Sequence, residues 1–140
     1  MQVQWFSKDL TGFVTIYETN ITLNTVAAEY FTHAYKVIIG YHQNNKKILV
    51  IKPLTKEETL LGIYKDTDLL DISIKPSYAR INGKAIVSKI SNVFNLDFEL
   101  SSSYKFKCEW DQKNKFLIIH LDEVITWFYY FHKWNFKYYL

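Results

Sequence analysis

"SYARINGKAIVSKISNVF" (residues 77–94) contains Arg80, the one arginine among the 17 Lys and Arg residues of this 140-residue chain. The residues before Asn82 are β-branched, aromatic or small, so residues 76–81 are predicted to be extended. After Asn82 the pattern changes period. Ile86, Ile90, Val93 and Asp97 fall on one helical stripe, three of its four positions apolar. The spacing predicts a strand feeding directly into a helix by about Lys84, with Asn82 as the cap. The planar, bidentate cation Arg80 therefore falls at a strand–helix junction.

Moving toward the C-terminus, residues 96–103 read as a loop. "YKFKCEWDQKNKFLIIHL" (residues 104–121) reads as a hairpin. Tyr104, Phe106, Cys108 and Trp110 alternate with Lys105, Lys107, Glu109 and Asp111, which assigns them to opposite faces. Toward the N-terminus, "TKEETLLG" carries a capping-box spacing at Thr55 and Glu58, with Gly62 as its stop. Before it, residues 35–54 read as another hairpin, with Gln43, Asn44 and Asn45 at the turn. "TVAAEYFTHA" places Ala27, Tyr30, Phe31 and Ala34 at i, i+3, i+4 and i+7, a helix of about ten residues capped by Asn24 or Thr25. "FVTIYE" and "NITLN" read as strands, as does "QVQWF" at residues 2–6. Gly12 is expected at a tight turn between the first two of these strands in the chain.

The order strand, helix, hairpin thus occurs twice. A shift of 68 residues lays "HQNNKKILVI" (residues 42–51) on "WDQKNKFLII" (residues 110–119), pairing Leu49 with Leu117 and Ile51 with Ile119. A shift of 58 pairs Ile21, Thr22 and Leu23 with Ala79, Arg80 and Ile81. The expected fold is α+β and β-rich, with two tandem strand–helix–hairpin units, about residues 20–54 and 72–122. A unit of ~45 residues cannot bury its apolar face alone, so the two are expected to share one pseudo-symmetric, barrel-like core within a single domain over residues 1–140.

A duplicated strand–helix–hairpin unit resembles the AbrB/MraZ superfamily of bacterial transcription factors, in which two units interleave their hairpins into a swapped-hairpin barrel. The family signature is G-R-hydrophobic-x-hydrophobic-P followed by a helix. Ala79, Arg80 and Ile81 match its arginine and the hydrophobic after it. Ala79 stands where the family has Gly, Lys84 where it has Pro, and the first unit, around Thr22, carries neither Gly nor Arg. The resemblance implies a DNA-binding transcriptional regulator that contacts double-stranded DNA through the strand–helix junction. Arg80 would meet phosphates or base edges, with Lys84 and Lys89 as neighbours. The residues themselves leave two roles open for Arg80. Its fork suits phosphate oxygens or guanine, and it equally suits a bidentate salt bridge to Asp71 or Asp97.

Composition is permissive of a nucleic-acid partner. The net charge of +3 is uneven. Residues 1–70 carry seven lysines and seven acids, while residues 71–140 carry nine lysines, Arg80 and seven acids. The single cysteine, Cys108, permits no internal disulfide and fits a reducing setting. No signal-peptide pattern opens at Met1, and no apolar run approaches the ~20 residues of a membrane span, so a cytoplasmic protein is expected and a membrane partner is not. His33, His42, His120 and His132 show no metal-ligand spacing. Cys108 lies on an apolar stripe and reads as a small hydrophobe. Neither a nucleophile elbow nor a phosphate-cradling Gly-rich loop is present. The chain is read as non-enzymatic, with no cofactor and no metal.

The aromatic segment at residues 124–140 stands apart, since nine of residues 125–140 are aromatic. It reads as an element docked on the core, as a protein or homo-oligomer interface anchored by Trp127, Phe128, Phe131, Trp134 and Phe136, or as an interfacial membrane contact. The second of these supplies the alternative function, a non-enzymatic protein-interaction module.

Overall fold

The computed structural model describes residues 1–8, 10–45 and 47–124. Among them eight strands form one curled, antiparallel, half-barrel sheet in the order β3-β4-β8-β7-β1-β2-β6-β5. Chain order is β1 (Gly12–Tyr17), β2 (Asn20–Asn24), α1 (Thr25–Ala28) with a 3-10 turn (Glu29–Phe31), β3 (Lys36–Tyr41), β4 (Ile48–Leu54), α2 (Lys56–Leu60), β5 (Ser73–Ile74), β6 (Tyr78–Asn82), α3 (Lys84–Phe94), β7 (Ser103–Asp111) and β8 (Phe116–Val124).

The concave side is the core. Alternate residues of each strand point inward: Val14 and Ile16, Ile21 and Leu23, Leu49 and Ile51, Ala79 and Ile81, Leu117 and Ile119 are all at most 1% exposed. α1 and its 3-10 turn add Ala27, Ala28 and Phe31, and α3 adds Val87 and Ile90. Full burial of one such large aliphatic or aromatic side chain stabilises by about 1.5–3 kcal/mol. Leu49 and Leu117, matched by the 68-residue shift, are both buried, and they lie on the paired strands β4 and β8.

One connector reaches both edges of the sheet. Val37 of β3 and Leu70 exchange two backbone hydrogen bonds, Val37 N to Leu70 O at 2.9 Å and Leu70 N to Val37 O at 2.8 Å. Four residues later β5 pairs with β6, Ser73 opposite Arg80 and Ile74 opposite Ala79. Residues 70–74 thereby satisfy part of the ladder that each edge strand would otherwise leave open.

Several expectations need correction. Residues 2–6 form no strand, and Trp5 is 79% exposed. Alternation alone offers a face, whereas a strand needs a free edge, and β1 is already paired with both β2 and β7. Gly12 is not at a turn but opens β1 opposite Cys108. The first helix is one α turn followed by a 3-10 turn rather than ten residues, and Tyr30 faces outward to stack on Trp110, ring centroids 4.6 Å apart. Residues 76–81 are not extended throughout: Lys75 N donates to Tyr78 O at 2.8 Å, which puts Pro76 and Ser77 in the β5–β6 turn and starts the strand at Tyr78. α3 begins where expected, but its N-cap is Gly83 without a side-chain cap, and Asn82 stays in β6. A Cβ at position 83 would stand 2.9 Å from Ile86 Cγ2, so glycine permits the close approach of the first turn.

The Asn24 cap and the capping box of Thr55 with Glu58 are both present. Gly62 has φ +72, the left-handed backbone that a helix stop requires. Trp127, Phe128, Phe131, Trp134 and Phe136 lie outside the described residues.

Candidate nucleic-acid interface

Arg80 sits on the outward face of β6, between inward-pointing Ala79 and Ile81. Neither expected salt bridge forms. Asp71 pairs with Lys36, and the hydrogen bond to Asp71 raises the Lys36 pKa. Asp97 is turned into its own loop, where Oδ1 accepts from Glu99 N at 2.9 Å. Among the described residues the Arg80 guanidinium makes no ion pair, and it lies over the Tyr78 ring, 5.1 Å from the centroid.

The strand registers fix what surrounds it. Arg80 is directly opposite Thr22, Thr22 opposite Thr15, and Thr15 opposite Lys105. One row across four strands thus reads Arg80, Thr22, Thr15, Lys105. Beside it Tyr78 is opposite Asn24 and Phe13 opposite Lys107, the two pairs joined by the bond from Phe13 N to the Asn24 side chain. On the other side Asn82 is opposite Asn20 and Tyr17 is opposite Ser103, the two pairs flanking the β1–β2 turn. These twelve positions alternate with the buried core residues and therefore all face outward. They include three cations, three aromatic rings, and otherwise only hydroxyls and amides. None is a carboxylate. The acids that border the grid are Glu109, two residues along β7 from Lys107 on the same face, and Glu18, in the turn between β1 and β2.

The cations flank the grid. Lys105 and Lys107 stand on β7 and Arg80 on β6, three inter-strand spacings apart, about 14 Å. Lys105 Nζ lies 4.4 Å from the centre of the Phe13 ring, so two of the three rings carry a cation against one face. Asn24 stiffens this patch from within: its side chain accepts from Phe13 N at 3.0 Å and from Ala27 N at 3.1 Å, and donates to Thr11 O at 3.0 Å.

The other two expected site residues are not gathered here. Lys84 is the first residue of α3 and lines a shallow cleft with Glu18, Ser88 and Phe98. Lys89 is five residues on, roughly 140° around the helix. It edges an apolar groove of about 130 Å³ between α3 and the β3–β4 hairpin, with Tyr41, Leu49 and Phe94. Phe13, Thr15, Tyr17, Thr22, Tyr78, Lys105 and Lys107 were not singled out by sequence reasoning. Their outward orientation was legible from alternation. Their adjacency depends on β1 lying between β2 and β7, which no local pattern encodes.

Elsewhere the titratable groups are structural. Burial pushes the Cys108 thiol up to about 12, with the Glu109 charge adding to it. Hydrogen bonds from the Asn114 side chain and backbone lower the Asp111 pKa in the β7–β8 turn. His120 Nε2 and Glu109 Oε1 are 3.0 Å apart on the outside of the β7–β8 hairpin. Among the described residues no group of three or more His, Cys, Asp or Glu side chains could hold a metal ion, and no helix is long and apolar enough to cross a membrane. No family model matches this chain, and no curated protein or solved structure matches it.

Proposed function

We propose that this protein is a non-enzymatic, DNA-binding regulator of AbrB/MraZ type, and that its contact surface is the outward face of β7, β1, β2 and β6 rather than the strand–helix junction alone. The observation that carries the reading is the charge of the grid: Arg80, Lys105 and Lys107 on twelve outward positions, without a carboxylate among them. Phosphate contacts dominate affinity for DNA, and they require unpaired cations on one surface. Arg80 fits that role, being exposed and outside any ion pair among the described residues.

Two registers support the duplicated-unit part of the reading. Thr22 lies opposite its own 58-residue counterpart, Arg80, and Val50 lies opposite its 68-residue counterpart, Ile118. A two-fold axis relating two units passes between residues equivalent in this way. Exchanging β1–β4 for β5–β8 also returns the same strand order once β3 is joined to the β5 connector through Val37 and Leu70. In that order β7 of the second hairpin pairs with β1, the strand just before the first unit, as a swapped-hairpin arrangement would require.

Anisotropy titrations of labelled DNA at a series of salt concentrations test the reading. Two to three phosphate contacts give a log–log salt slope of about 2–3. Absence of binding at low salt overturns it.

A further inference from the structure

The grid has a feature that phosphate binding does not use. Phe13, Tyr17 and Tyr78 stand among its hydroxyls and amides, Tyr17 being 40% exposed and the other two partly exposed. On the reading that this face binds nucleic acid, we propose that the strand it holds is single-stranded DNA. The polymer crosses β7, β1, β2 and β6 with its bases on the aromatic rings and its phosphates on the flanking cations.

The reason is geometric. In a duplex the base faces are stacked on each other, and only their edges reach the grooves. A ring on a sheet surface therefore gains nothing from a duplex beyond what any side chain gains. An aliphatic or polar residue at positions 13 and 78 would serve phosphate contact equally well. A single strand presents unstacked base faces, which stack on aromatic side chains, while a positively charged surface follows its backbone. The two cation-capped rings fit this division of labour. Lys105 over Phe13 and Arg80 over Tyr78 each occupy one face of a ring and hold a charge beside it, where the phosphate of a stacked nucleotide comes. Thr15, Thr22 and Asn20 between them supply neutral hydrogen-bonding groups without repelling an anion.

The test compares fluorescein-labelled oligothymidylate, oligouridylate of the same length, and the duplex of that oligothymidylate with oligodeoxyadenylate, all by anisotropy at one salt concentration. The expected result is tighter binding of oligothymidylate than of the duplex by about tenfold or more. Phe13→Leu and Tyr78→Leu each lower oligothymidylate affinity by about tenfold and leave duplex affinity within about twofold. Photocrosslinking of a bromodeoxyuridine-containing oligonucleotide to the unaltered chain, read by mass spectrometry, needs no variant and is expected to label the peptides carrying Phe13, Tyr17 or Tyr78. Equal or tighter binding of the duplex overturns the single-strand inference and leaves the DNA-binding function standing. Tighter binding of oligouridylate overturns DNA as the polymer. Crosslinks confined to other peptides overturn the face. Failure to bind any of the three probes overturns the proposed function itself.

Discussion

Gly12 and Cys108 lie directly opposite each other across β1 and β7, so close that a Cβ at position 12 would stand 2.9 Å from Cys108 Sγ and 3.5 Å from its carbonyl oxygen. The sulfur is the obstacle, and it is held by the packing of β7 against the core. Gly12→Ala is expected to destabilise the fold by about 1–3 kcal/mol, the usual cost of overpacking. Because the clash is with the thiol, Gly12→Ala combined with Cys108→Ala should be less destabilising than the sum of the two single changes. Urea unfolding of the four proteins measures this; strict additivity would place the strain elsewhere.

Cys108 also makes stability depend on alkaline pH. Its pKa is raised from 9.0 to about 12 in the fold, chiefly by burial. Below 9.0 both folded and unfolded chains hold the proton, and the contribution is constant. Between 9.0 and about 12 the unfolded chain releases it while the folded chain keeps it, so rising pH favours unfolding. The stability of the wild-type chain minus that of Cys108→Ala should fall across this window by at most about 1.4 kcal/mol per pH unit. The subtraction removes the common titration of lysines and tyrosines. A difference that does not change with pH would mean that the thiol is solvated.

The three side-chain hydrogen bonds of Asn24 join the start of β1 to the first turn of α1. Asn24→Ala strands the Phe13 and Ala27 amides and is expected to cost about 1–3 kcal/mol. Asn24→Asp keeps both acceptor roles and loses only the donation to Thr11 O, so it should cost less. The ranking of their urea midpoints is the check; an equal loss would show that the bond to Thr11 O dominates.

For the interface, charge and position make separable predictions. Arg80→Ala and Lys105→Gln should each lower the salt slope of DNA binding by about one. Arg80→Lys keeps the charge and should keep the slope, while losing affinity through the guanidinium fork. Lys89→Ala should leave binding unchanged, because Lys89 borders the α3 groove and is not on the grid. An effect of Lys89→Ala as large as that of Arg80→Ala would shift the contact onto the helix.

The sequence by itself determined the elements and their faces. Period-two alternation assigned Phe106 and Lys107 to opposite sides of β7, period 3.6 placed α3 immediately after β6, and the side chains of Asn24, Thr55 and Glu58 marked two helix starts, all through interactions within a few residues. Local chemistry misled where the outcome depended on distant partners. "QVQWF" has strand character, but β1, the strand that follows it in the chain, is already paired on both sides. Asn82 is a good cap residue whose backbone is held in the ladder opposite Asn20. Asp71 was a plausible partner for Arg80 until Lys36 lay closer to it. Only the tertiary structure decided that β1 separates β2 from β7, and hence that Arg80, Thr22, Thr15 and Lys105 form one row. That order is set by which strands together close an apolar core, a collective property of side chains far apart in the chain. A candidate interface assembled from four strands is therefore written in the sequence residue by residue, but becomes a surface only when the sheet curls.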